Sequence, residues 1–154
     1  MLFRWLLAAI HLLAFGFALA SILGRSRLLR RCAGIADLPA VFRADAGWGL
    51  SALVLVITGG MRAFGGFEKG GDYYIHAPLF HLKMGALLLI VLLEIAPMMA
   101  LIRWRIALKG GRTPDLTRAG RFARVGTLQT VLLVVMVFAA SGMARGIALA
   151  GGAG

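Results

Sequence analysis

The sequence predicts an all-α integral membrane protein in which four transmembrane helices form one bundle. Residues with apolar side chains make up 60% of the 154-residue chain. Four stretches are apolar over the roughly 20 residues that a spanning helix needs, and charged or glycine-rich connections separate them. The spans and the short connections between them leave nothing over for a soluble domain, which predicts a single transmembrane domain. The predicted spans are Leu2–Leu23, Ala46–Phe64, Pro78–Ile102 and Val125–Ala150.

The first span has features of a cleavable signal peptide, because Arg4 precedes an apolar core and Ala18-Leu19-Ala20 precedes Ser21. The distribution of charge argues against cleavage. Lys and Arg in short loops stay cytoplasmic, and the first and third connections hold twelve of the 17 basic residues. We therefore expect a retained first span, both termini outside (N-out/C-out) and a multi-pass protein of the bacterial inner membrane. The twelve are Arg25, Arg27, Arg30, Arg31, Arg43, Arg103, Arg105, Lys109, Arg112, Arg118, Arg121 and Arg124.

Local signals predict helix ends and helix packing. Gly110-Gly111 is typical of a helix end, and Thr113-Pro114-Asp115 has the N-cap, proline and acidic first turn of a helix start. Small residues at four-residue spacing let transmembrane helices approach closely, as in Gly16-Ala20-Gly24 and Gly142-Gly146-Ala150. These strips predict close packing either inside the bundle or in a homo-oligomer.

Polar residues inside the spans are the candidate functional residues, because an ionisable group there costs about 2.5 to 3.5 kcal/mol on insertion scales. Lys83 and Glu94 lie three turns apart on one helical face, and Ser51, Thr58 and Arg62 share another. With the predicted topology, these residues form two groups. The outer group is His11, Thr58, Arg62, Lys83 and His81, and the inner group is Asp45, Glu94 and Gln129.

Each candidate also has a structural interpretation. Arg62 and Lys83 lie near helix ends, where long side chains reach the membrane surface. Glu94 can simply pair with an arginine at the inner boundary, and a single histidine such as His11 can be a hydrogen-bonded packing residue.

Several motifs resemble an uncharacterised family of small bacterial four-helix inner-membrane proteins, over nearly the whole chain. The resemblance names no activity. Its motifs are Arg43-x-Asp45, Trp48-Gly49, Thr58-Gly59-x-x-Arg62, Glu68-Lys69-Gly70, Tyr73-Tyr74, Phe80-x-x-Lys83-Met84 and Arg103-Trp104.

The first and third spans are also similar to the HemJ-type protoporphyrinogen oxidases, which are haem-binding membrane enzymes. The similarity rests on Ala9-Ile10-His11-Leu12 and on His81-Leu82-Lys83. It implies that His11 binds the iron of haem b, that His81 belongs to the cofactor site, and that Lys83 is a cation on the substrate or propionate side. Independently of the resemblance, the predicted depths make Arg62 a second cation beside Lys83 that would neutralise a haem propionate, and both are candidate catalytic residues. The Leu-Pro-Arg-Leu-Phe stretch of that family is replaced here by Gly24-Arg25-Ser26-Arg27-Leu28-Leu29.

Three functions follow as hypotheses, and whether the protein is an enzyme stays open among them. The first is a haem-binding oxidoreductase or haem-handling protein. With three histidines in the chain, at most one bis-histidine haem is possible, and a five-coordinate haem on His11 fits the predicted depths better. The second is small-solute or ion permeation along the Lys83/Glu94 stripe, and the third is a non-catalytic membrane subunit or assembly factor.

Composition and motifs exclude several other classes. Cys32 is the single cysteine, which excludes an intramolecular disulfide and a CxxC redox pair. No nucleotide-binding loop, metalloprotease helix or serine nucleophile motif occurs in the sequence. The net charge of +11 comes largely from residues between apolar spans, so we expect anionic lipid head groups at the cytoplasmic face and no nucleic acid as partners.

Overall fold

Four long helices form the protein in the computed structural model, which describes residues 1–64 and 78–145. They are α1 (Leu2–Arg31), α2 (Leu38–Phe64), α3 (Pro78–Lys109) and α4 (Ala119–Ala144), with a single 3-10 turn at Ile35–Asp37 before α2. Each helix is long and apolar enough to cross a membrane. The predicted all-α architecture with four membrane-spanning helices is confirmed.

The connection predicted between the first two spans is mostly helical. Helix α1 continues to Arg31, and α2 already begins at Leu38. The extension is amphipathic, because Leu29 is buried while Arg27, Arg30 and Arg31 are exposed. The charge of this segment suggested a loop, but its buried stripe keeps it helical.

The connection between α3 and α4 agrees with the sequence-based prediction where α3 ends and differs from it where α4 begins. Helix α3 ends at Lys109, and Gly111 adopts a positive φ of 69° in the turn that follows. The predicted start of the fourth helix at Thr113 is wrong, because α4 begins at Ala119. Asp115 uses its carboxylate in a local turn instead, where its Oδ1 accepts a hydrogen bond from the Thr117 amide at 2.9 Å.

The helices run up, down, up and down. Helix α1 packs along α2 and α4, and α4 packs along α3. The ends of α1 and α3 and the starts of α2 and α4 therefore lie together at what we call the basic end of the bundle. An apolar layer here takes side chains from all four helices, and it comprises Leu29, Leu38, Val41, Leu101, Trp104, Ala119, Phe122 and Ala123.

Two serine–glycine contacts mark where α1 approaches its neighbours most closely. A methyl group at Gly47 of α2 would lie 2.8 Å from the Ser21 Oγ, and one at Gly126 of α4 would collide with the Ser26 Oγ. The predicted strip on α1 is not the packing seam within the described part of the bundle, because no described atom lies within 4 Å of a Cβ at Gly16 or Gly24. On α4, Gly142 is buried, and the other two residues of its strip lie outside the described residues.

Candidate functional site

A buried arginine lies at the centre of the most polar layer of the bundle. The side chain of Arg25 is 1% exposed, and its guanidinium makes a two-pronged ion pair with Glu94 of α3. Nη1 donates to Oε1 at 2.6 Å, and Nη2 donates to Oε2 at 2.7 Å. This parallel geometry is the one in which arginine binds a carboxylate most strongly.

A second carboxylate extends the network towards the surface. The Arg25 Nη1 also donates to the Asp45 Oδ1 of α2 at 2.8 Å. The other oxygen of Asp45 accepts a hydrogen bond from Arg105 Nη2 of α3 at 3.0 Å. Arg105 is 40% exposed, and it also donates to the Phe42 carbonyl at 3.2 Å and lies over the Phe42 ring. Through Asp45, Arg105 therefore connects the surface of the bundle to the buried Arg25.

Helix α4 completes the network with an amide. The Gln129 side chain is fully buried, and its Oε1 accepts a hydrogen bond from the Arg25 Nη2 at 3.2 Å. Its Nε2 donates to the Glu94 Oε2 at 2.8 Å and to the Ile90 carbonyl at 3.2 Å. We call Arg25, Asp45, Glu94, Arg105 and Gln129 the charge network, which takes at least one residue from every helix.

The charge network is electrically balanced and enclosed by apolar layers. Two arginines face two carboxylates, so the formal charges cancel. The layer at the basic end lies on one side, and a second layer lies on the other, with members Ala18, Ile22, Trp48, Ile90 and Leu133. The Arg25 guanidinium lies 5.9 Å from the ring centroid of Trp48. Little water reaches such a position, so each charge depends on its partners for stabilisation.

Two donors in the network have no acceptor within the described residues. They are the Nε atoms of Arg25 and Arg105, and both are buried. A buried donor without a partner costs about 1 to 3 kcal/mol. The network therefore stabilises the bundle through its carboxylate pairs, with part of that gain offset at these two atoms.

A second polar pair joins α1 to α2 nearer the opposite end. The Nδ1 of His11 lies 2.7 Å from the Thr58 Oγ1. The Thr58 hydroxyl donates its hydrogen to the Val54 carbonyl of its own helix at 2.6 Å. When the single hydroxyl hydrogen goes to Val54, a neutral His11 carries its proton on Nδ1 and its lone pair on Nε2.

Gly59 of α2 lies directly against the His11 ring. A Cβ built at Gly59 would lie 3.4 Å from the His11 Cε1. A side chain there would press on the imidazole, so Gly59 and Thr58 together set the position of the ring.

The remaining candidates are Ser51, Arg62, His81 and Lys83. Ser51 is buried, and its hydroxyl donates to the Gly47 carbonyl within α2. Arg62 lies near the end of α2, and His81 and Lys83 lie in the first turns of α3. Lys83 and Glu94 are separated by about 16 Å along α3, and Glu94 is bound by Arg25 and Gln129.

The predicted inner group is thus brought together, and its organising residue was missed by sequence reasoning. Asp45, Glu94 and Gln129 all bond within the charge network. Arg25 was assigned to a cytoplasmic loop because it belongs to an arginine-rich segment. Its helical spacing from Ile22 and Leu29, which are both buried, is the signal that places it on the inner face of α1.

The described residues contain no group of three or more His, Cys, Asp or Glu side chains that could hold a metal ion. A haem needs only one protein ligand to its iron, so this observation bears on bare metal centres and not on the His11 hypothesis.

The chain was compared with protein families, curated proteins and solved structures. One family matches residues 3–148, which is nearly the whole chain, and its description is "Predicted membrane protein (DUF2214)". No curated protein matches, and no solved structure matches. The resemblance to an uncharacterised membrane family is confirmed, whereas the similarity to HemJ-type enzymes stays a prediction. The match over residues 3–148 shows that this chain belongs to the DUF2214 family of predicted membrane proteins.

Proposed function

We propose that this protein binds haem b through His11 and acts as a membrane oxidoreductase or haem-handling protein. The observation that supports the proposal is the hydrogen bond between His11 Nδ1 and Thr58. Histidines that ligate metals usually donate their other ring N–H to a neighbouring acceptor, which fixes the tautomer and the ring orientation. Thr58 is such an acceptor, and it leaves Nε2 as the candidate ligand atom.

Two cations and a second histidine on neighbouring helices support the proposal of one haem near His11. Arg62 and Lys83 lie at the same end of the bundle as His11, where their cationic groups would neutralise the two propionates. His81 lies in the first turn of α3 and belongs to the site as a second candidate ligand. When bound, haem supplies one-electron chemistry, and the protein contributes the ligand, its orientation and the propionate contacts.

Absorption spectroscopy of the purified protein tests this proposal. After expression with ample haem, we expect a Soret band in the wild type and its loss in His11→Ala. Thr58→Val should retain the band while weakening haem affinity by about 10- to 100-fold. Ser51→Ala is the matched control on α2, because the Ser51 hydroxyl bonds only within its own helix among the described residues. A wild type without a Soret band, or a His11→Ala spectrum identical to it, would overturn the proposal.

The charge network favours a second candidate, a non-catalytic membrane subunit or assembly factor. A balanced set of charges that connects all four helices holds a rigid scaffold together without binding a substrate. Affinity purification from native membranes tests this idea, and recovery of the chain alone contradicts it. The permeation hypothesis stays a prediction, and liposome flux that is unchanged by Glu94→Gln and Lys83→Met would remove it.

We also propose the N-out/C-out orientation in the bacterial inner membrane, which the accumulation of basic residues at one end supports. Cys32 lies at this end, directly after α1. A membrane-impermeant maleimide should therefore label Cys32 in inverted vesicles and not in spheroplasts. Labelling from the periplasmic side would reverse the proposed orientation.

The Cys32 reaction should also depend on pH. Burial raises the pKa of the Cys32 thiol, the charge of Asp37 raises it further, and a hydrogen bond with the Gly34 backbone acts in the opposite direction. The thiolate is the reactive form, so labelling at neutral pH should be slower than for an unperturbed thiol and should accelerate as the pH rises. The extent of labelling after a fixed time in detergent, compared with glutathione as the reference thiol, measures this difference.

A further inference from the structure

The basic end of the bundle separates its cations into two sets. Two of the twelve arginines and lysines turn inward and bind carboxylates, namely Arg25 and Arg105. The other ten are exposed on all four helices and the segments between them. They are Arg27, Arg30, Arg31, Arg43, Arg103, Lys109, Arg112, Arg118, Arg121 and Arg124.

The acidic residues at this end do not neutralise the exposed set. Asp45 and Glu94 belong to the charge network. The Asp37 Oδ2 accepts hydrogen bonds from the amides of Ala33 and Gly34, at 2.9 and 3.2 Å. Asp115 accepts a hydrogen bond from the Thr117 amide, and the pKa of its carboxyl is lowered by its hydrogen bonds with Thr117 and, to a smaller extent, by the charge of Arg118, with which it forms no direct ion pair. Within residues 1–64 and 78–145, none of the ten exposed cations forms an ion pair with a carboxylate.

Ten like charges on one end of a small bundle repel one another unless anions surround them. We propose that this basic ring is a binding surface for anionic phospholipid head groups. Four membrane-capable helices end or begin at the ring, which puts it at the depth of lipid phosphates. Its position favours a lipid surface over a soluble acidic partner, because the apolar flanks of the same helices are then covered by the acyl chains.

Lipid selectivity in nanodiscs tests the proposal. Spin-labelled phosphatidylglycerol should associate with the wild-type protein severalfold more strongly than spin-labelled phosphatidylcholine, and added salt should reduce the difference. In Arg118→Gln/Arg121→Gln/Arg124→Gln the preference should fall by roughly twofold or more. Arg145→Gln is the control at the opposite end of α4, where Arg145 is exposed, and it should keep the wild-type preference.

Three results would overturn the proposal. The first is equal association of the two lipids with the wild-type protein. The second is a loss of preference per removed charge that is the same in Arg145→Gln as in the triple variant, which would mean that total charge matters and the ring does not. The third is equally strong suppression of binding by millimolar glycerol phosphate, which would identify a site for soluble phosphate. Helical content from circular dichroism should match the wild type in each variant, since all four substituted side chains are exposed.

Discussion

Arg25→Met is expected to lower the free energy of unfolding by about 3 to 5 kcal/mol. The substitution fills similar space but leaves the part-buried carboxylates of Asp45 and Glu94 without their shared cation, and only Asp45 keeps a second one, Arg105. Gln129 also loses one of its hydrogen-bond partners. Unfolding by sodium dodecyl sulfate in mixed micelles, followed by circular dichroism, measures the change. Arg27→Gln, two residues away and exposed, should stay within about 0.5 kcal/mol of the wild type.

A double-variant cycle shows whether charge compensation is the cause. Glu94→Gln alone should destabilise the protein, because it weakens the paired contact with Arg25. In the Arg25→Met background the same change should stabilise it, because it removes a negative charge that no longer has its cation. If Glu94→Gln has the same sign in both backgrounds, the ion pair does not hold the helices together.

Gly126→Ala is expected to destabilise the bundle by about 1 to 3 kcal/mol, because the new methyl group collides with the Ser26 Oγ. Ser26 can turn away only by giving up the 2.8 Å hydrogen bond that its hydroxyl donates to the Ile22 carbonyl. Thermal unfolding monitored by size-exclusion chromatography in detergent measures the loss. Helix α1 and α4 should separate slightly at this point, so the effect comes from packing and not from helix propensity.

Two further variants separate these causes. Ser26→Ala removes the colliding oxygen, and the double variant Ser26→Ala/Gly126→Ala should recover most of the lost stability. Gly120→Ala is the control within α4, because nothing lies within 4 Å of a Cβ at that position. It should be neutral or slightly stabilising, as expected for glycine replaced in an open part of a helix. A double variant that is no more stable than Gly126→Ala would contradict the proposed collision.

The number of helices and their membrane-spanning character were predictable, because the length of an apolar stretch is a strong signal in membrane proteins. The charged extension of α1 was not, since a segment with four arginines reads as a loop until its buried face is known. The start of α4 was misplaced for a related reason. Asp115 can cap a helix or close a local turn, and only the position of Ala119 against α3 and the other helices decides between them.

Which polar residues are candidates could be predicted from the sequence, but their arrangement in space could be predicted only in part. Glu94 and Gln129 stand out in the sequence because polar side chains are costly within apolar spans. Their shared partner was hidden, because Arg25 is one arginine among several neighbours in the sequence. Arg25 and Glu94 are 69 residues apart in the sequence. Their pairing depends on how the helices pack against each other, and the spacing of residues within one helix does not reveal that packing.

The position of Arg25 also has a consequence for how the protein is made. Its first anion, Asp45, follows 20 residues later on α2, whereas Glu94 follows after 69. During synthesis the hairpin of α1 and α2 can therefore enter the bilayer with its arginine already neutralised. Helix α3, which is synthesised later, adds Glu94 as the second counter-ion when it packs against α1.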